Sequence, residues 1–165
     1  MAVFDTTKGG VNSTSYATVE EASDYLDGVF GAEEWASIAE DSQERLLLTA
    51  TKMIEGLTCA YPKASDTQAL SFPCAAIGYL DAYGKRLDDG FTRAKEACIL
   101  QAFYIYQQND NLAEARGNKI AGVNSESIGP TSKGMLGFNP YMKWGGGVLK
   151  LLAPYVDLEI RCRRG

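Results

Sequence analysis

Apolar positions in the first half of this chain recur at helical spacing, whereas in its last ten residues they alternate. Val19, Ala22, Leu26 and Val29 fall three or four apart, which places them on one face of a helix. Thr18 followed by Glu21 forms a capping box: the hydroxyl serves the amide three residues on, and the Glu side chain reaches back. Gly28 or Gly31 marks the end of that helix. "AEEWASIAED" predicts a short helix with Trp35 and Ile38 turned inward, and Asp41 with Glu44 predicts a second capping box. A second long helix follows over 42–57, with Leu46, Leu47, Ala50, Met53, Ile54 and Leu57 as a wide core-facing stripe. A third is predicted over 92–108, where Ala94, Ala97, Cys98, Gln101, Ala102 and Ile105 share a face small enough for close packing.

Residues 58–91 break the helical pattern with two prolines and repeated Gly, Asp and Ser, and predict a long, mostly irregular crossing. A crossing of that length in a compact domain is often functional. "NKIAGVNSESIGPTSKGM" has the β-branched residues and turn signals of a hairpin. "GFNPYMKWGGG" reads as a loop leading into a short last helix near 148–154. In "YVDLEIRCRRG", Val156, Leu158, Ile160 and Cys162 alternate with charged residues, the period of a strand with one buried face. The fold class is therefore mainly α: a small helical bundle with a long irregular crossing, a short β-hairpin and an extended C-terminal strand. One domain fits the length, divided into a flexible N-terminal arm over 1–17, a helical body over 18–155 with the hairpin inserted near 119–135, and an extended tail over 156–165.

Charge and composition narrow the chemistry. The net charge is −5 and there is no histidine, which removes the commonest general base, the histidine-dependent triads and the commonest metal ligand. Cys59, Cys74, Cys98 and Cys162 are scattered without a CxxC pair and read as small buried hydrophobes. Gly145-Gly146-Gly147 lacks the context of a phosphate-binding loop and reads as a flexible loop. The neighbouring acids Glu20-Glu21, Glu33-Glu34 and Asp88-Asp89 read as caps and solvated helix ends. No catalytic residue, cofactor or metal is expected, and the chain is read as a non-enzyme. The acids concentrate in residues 1–60, at −8, and the remainder is +3. An acidic end repels DNA rather than holding it. No long apolar run or basic leader is visible, so a cytoplasmic protein, neither membrane-spanning nor secreted, is expected. Phe103, Tyr104 and Tyr106, with Tyr79 and Tyr83 upstream, could stack on single-stranded bases, but they read first as core or as a contact with a neighbouring subunit. The C-terminal strand either folds back on its own domain or adds to another protein's sheet.

Taken in order, "SYATVEEASDYL", Trp35, "SQERLLLTATKMIEGL", "QALSFP", an acidic turn and "AKEACILQAFYIY" resemble the tailed-phage head-tail connector or adaptor family, also catalogued as DnaT-like single-stranded DNA-binding proteins. "GVNSESIGPTSKGM" before a short terminal helix fits the same pattern, and Cys74 stands where the family usually has Arg. The resemblance implies a virion protein, present in host cytoplasm before assembly. It would dock as a dodecameric ring on the portal protein, contact neighbouring copies of itself and a tail or stopper (head-completion) protein, and let genomic DNA pass through its lumen. On that basis Leu70, Phe72, Pro73, Tyr79 and Tyr83 are candidates for anchoring the crossing or forming the subunit interface. Leu158, Ile160, Arg161, Arg163 and Arg164 are candidates for portal docking. The alternative function is a single-stranded DNA-binding accessory protein of replication restart.

Overall fold

The computed structural model describes the backbone of residues 3–120, 125–128, 131–134 and 144–157, with side chains over 3–108 and 144–157. The described chain is mainly helical: α1 (Val19–Asp27), a 3₁₀ turn (Glu33–Ser37), α2 (Glu40–Glu55), α3 (Phe91–Ile120) and α4 (Val148–Leu152). The capping box forms at Thr18, whose hydroxyl accepts from the Glu21 amide at 3.1 Å while the Glu21 carboxylate accepts from the Thr18 amide at 3.0 Å. The second box does not form. α2 starts two residues earlier than expected, and Ala39 at its N-cap has no side-chain bond to give. Asp41 therefore sits inside the first turn, where its charge meets the positive end of the helix dipole. α3 runs past its expected end at 108 to Ile120, over a stretch that contains helix-favouring Leu, Ala, Glu and Arg and no proline.

α2 and α3 pack through small residues: Ala50, Ala94, Ala97 and Ala102 are all fully buried. Thr51 Oγ1 meets Cys98 Sγ at 3.3 Å between the two helices. Trp35 closes one end of this core. Its indole N–H donates to Ser23 Oγ at 3.3 Å, and the buried Gln43 side chain donates to its carbonyl at 2.9 Å. α4 leans on α3 through Gln101, whose Oε1 accepts from the Gly145 amide at 2.9 Å. A side chain at Gly145 would press to 3.0 Å from Tyr104 Cβ, so this glycine is a buried packing position rather than part of a flexible loop.

The N-terminal segment is no loose arm. Ser13, Ser15, Tyr16 and Ala17 are buried, and the Ala69 amide donates to the Gly10 carbonyl at 3.0 Å. Lys8 pairs with Asp89 at 2.7 Å and lies 5.1 Å over the Phe91 ring, which Lys95 also approaches at 5.5 Å. Tyr16 overrides the polar composition around it because burying one large ring is worth about 1.5–3 kcal/mol. The expected irregular crossing between α2 and α3 is present. Between 121 and 143 the described backbone consists of two four-residue segments, Ser125–Ile128 and Thr131–Gly134, in antiparallel register. Their side chains and connecting turn, with the rest of the expected hairpin, lie outside the described residues. The extended tail does too, beyond Asp157. Where the tail leaves the body, Val156 bridges antiparallel to Cys59. No described helix is long and apolar enough to cross a membrane.

Candidate interaction surface

The entry of the crossing is held by one carboxylate. Glu55, on the last turn of α2, accepts from the Ser71 amide with both oxygens at 3.0 Å and from the Ser71 hydroxyl at 2.9 Å. It also accepts from the Tyr16 hydroxyl, which in turn accepts from the Phe72 amide at 3.2 Å. Burial, followed by the adjacent Glu55 charge, pushes the Tyr16 phenol well above its ordinary value and keeps it a donor. Phe72 is 2% exposed and meets Tyr16 and Tyr155 edge-on, both at 6.0 Å. Beyond it, across a cis peptide bond, Pro73 is also buried. Gln68 stiffens the entry from within, donating to the Leu70 and Pro73 carbonyls at 2.7 and 2.8 Å.

The exit is fixed in the same way. Tyr155 donates to Asp88 Oδ1 at 2.5 Å. That bond holds the Asp88 carboxyl below its ordinary value against a partial opposing effect of burial, while burial and the same bond push Tyr155 up to about 12. Gly90 follows at φ +70°, and a Cβ there would lie 2.8 Å from the Phe72 ring. Both conditions require glycine.

Between these two fixed ends the chain projects as a short antiparallel ribbon. The Leu87 amide donates to Tyr79 O and the Asp81 amide to Lys85 O, each at 2.8 Å, and Leu80 bridges Arg86. Asp81 Oδ1 locks the tip by accepting from the Tyr83 and Lys85 amides, both at 2.9 Å. Ala76 and Leu87 anchor the base in the core, but Ile77, Tyr79, Leu80 and Tyr83 face solvent, and Tyr83 is 95% exposed. Tyr79 keeps one ring neighbour, Tyr61, at 5.1 Å. Lys85 and Arg86 are exposed on the return arm.

A second feature lies between α1, α3 and α4. It is an open cleft of about 360 Å³ lined by Tyr25, Arg93, Leu100, Gly147, Lys150 and Leu151. Burial, then the nearby Glu96 charge, raises the Tyr25 phenol.

The candidate residues thus divide by direction. Phe72 and Pro73 point into the core, Leu70 is half-buried against it, and Tyr79 and Tyr83 point outward. Leu158, Ile160, Arg161, Arg163 and Arg164 lie outside the described residues. Sequence reasoning missed Glu55, Tyr16 and Gln68 as the braces of the crossing, and Ile77 and Leu80 as exposed partners of the tyrosines. Among the described residues no group of three or more His, Cys, Asp or Glu side chains could hold a metal ion.

A family described as "Putative DnaT-like ssDNA binding protein" matches residues 1–134. No curated protein and no solved structure matches the chain.

Proposed function

We propose that this chain, a member of the DnaT-like family, works by docking the exposed apolar side chains of its braced ribbon onto other proteins, as a head-tail connector seated on a phage portal. The observation that carries the reading is the ribbon: Ile77, Tyr79, Leu80 and Tyr83 stand out from a base secured on both sides. Large apolar side chains left exposed together on one projecting segment mark contacts with a partner. In a closed ring each subunit offers one surface to one neighbour and a complementary surface to the next, and the ribbon supplies one of the two. The acidic N-terminal third of the sequence supports a channel role, because like charge cancels the attraction that would arrest passing DNA. Leu158, Ile160, Arg161, Arg163 and Arg164 complete the proposal as candidates for docking on the portal by strand addition, on the alternation of apolar and charged residues in the sequence. Sedimentation of portal rings with and without the chain tests it. The rings should gain mass equivalent to about one chain per portal subunit, as a matched ring requires, and unchanged rings would refute the reading.

The family description favours a second reading, an accessory protein that binds single-stranded DNA in replication restart. Tyr79 and Tyr83 lie in the same ribbon as Lys85 and Arg86, and aromatic faces beside cations are what hold successive bases and phosphates. Its signature is oligonucleotide affinity that falls steeply with salt.

A further inference from the structure

We propose that the cleft between α1, α3 and α4 seats one nucleotide unit of a single-stranded nucleic acid. The base would lie over Leu100 and Leu151 against the Tyr25 ring, and the flanking phosphate between Arg93 and Lys150. The proposal rests on the single-strand reading above and gives it a location distinct from the ribbon, with which the cleft shares no lining residue.

Size and lining both fit. A cleft of about 360 Å³ is in the range of small-ligand sites. Its floor is apolar: Leu100 and Leu151 pack against the core on one side and remain half-exposed on the other. Tyr25 lines the same cleft and is part-buried, an aromatic side chain of the kind on which bases stack. The rim is cationic. The two salt bridges among the described residues use Lys8 and Lys95, and neither Arg93 nor Lys150 forms one with a described residue. In a chain of net charge −5, two such cations sharing one cleft make an anion site.

The neighbouring acids refine the ligand. Asp88 interacts electrostatically with Arg93, and Glu96 with Tyr25. They oppose a multiply charged terminal phosphate more strongly than a phosphodiester, which carries one charge per unit. The open shape, rather than an enclosed pocket, lets a strand enter and leave.

The test is fluorescence anisotropy of a labelled oligothymidylate of about 16 nucleotides, long enough for one site, titrated at several salt concentrations. The full chain is compared with Arg93→Gln/Lys150→Gln, Tyr25→Leu and Tyr79→Ser/Tyr83→Ser, each checked for retained helicity. The double charge variant should bind about tenfold or more weakly, and its plot of log affinity against log salt should flatten by roughly 0.7, since the two cations share one phosphate and each phosphate contact on a single strand contributes about 0.7. Tyr25→Leu should weaken binding by about fivefold or more with the slope unchanged. Should the double variant unfold, Lys150→Gln alone, at an exposed position, should flatten the slope measurably but by less than about 0.7. Wild-type binding that survives the charge variants, or a loss confined to the ribbon variant, would overturn the cleft assignment and leave the single-strand reading standing. No wild-type binding at low salt would overturn both.

Discussion

Replacing Phe72 with alanine tests whether the crossing is anchored in the core as described. The substitution removes a ring that is 2% exposed and that Tyr16 and Tyr155 both meet at 6.0 Å. It leaves the backbone bonds in place, including Phe72 N–H to Tyr16 at 3.2 Å and Ser71 to Glu55 at 3.0 Å. The loss is therefore one of packing. Burial of the ring contributes about 1.5–3 kcal/mol, the edge-on aromatic pairs about 0.5–1.5 kcal/mol each, and the residual cavity adds to both. The expected cost is about 3–5 kcal/mol, the usual range for a buried Phe→Ala. A domain typically has about 5–15 kcal/mol in total, so the variant should still fold, with a melting temperature lowered by roughly 6–20 °C. Urea unfolding followed by helical circular dichroism and by the fluorescence of Trp35 and Trp144 reads the change directly. The midpoint should fall with an unchanged slope, because the same surface is exposed on unfolding. A loss below about 1 kcal/mol would refute the anchor.

The same measurements check the other braces. Glu55→Gln keeps the shape but puts a donor group where Ser71 and Tyr16 offer donors, and should cost about 1–3 kcal/mol; wild-type stability would contradict its role as the hub. Gly90→Ala combines a φ of +70° with a contact at 2.8 Å from Phe72, and should cost more than about 1 kcal/mol. Part of that penalty should vanish when combined with Phe72→Ala, because the two share one contact; strict additivity would show that they do not touch. Asp88 has a lowered carboxyl value in the fold, so its ionised form is the stabilising one. Its contribution is complete above the ordinary value of 3.8 and is lost as pH falls through the lower folded value. Asp88→Asn should be less stable at pH 7 and should show a shallower loss of stability below about pH 4. Thermal melts from neutral to acid pH decide this, and parallel curves for variant and wild type would contradict it.

What was legible in the sequence was local. The capping box at Thr18 could be read because both of its hydrogen bonds connect residues three apart. The small-residue face of α3 could be read because helical spacing and burial coincide there. The second capping box was misread because Asp and Glu suit any first turn, capped or not. Glu55 could not be recognised, since on its helix it looks like a solvated charge and its partners Tyr16 and Ser71 are 39 and 16 residues away. Tyr16 was hidden in the same way, inside a segment whose glycines, serines and threonines suggested looseness. In the ribbon, the apolar character of Ile77, Tyr79, Leu80 and Tyr83 was visible, but an irregular segment has no period from which to read which face meets water. The cleft draws on three helices, and nothing in their separate patterns brings Tyr25, Arg93 and Lys150 together.

The central claim is that the ribbon is the working surface, and a ribbon variant tests it most directly. Leu80→Ser/Tyr83→Ser alters only exposed positions, so its stability should stay within about 0.5 kcal/mol of wild type. Wild type and variant are each sedimented with portal rings from the same source. The account predicts that wild type adds mass to the rings and that the equally stable variant adds little or none. Equal mass gained with both proteins would contradict it.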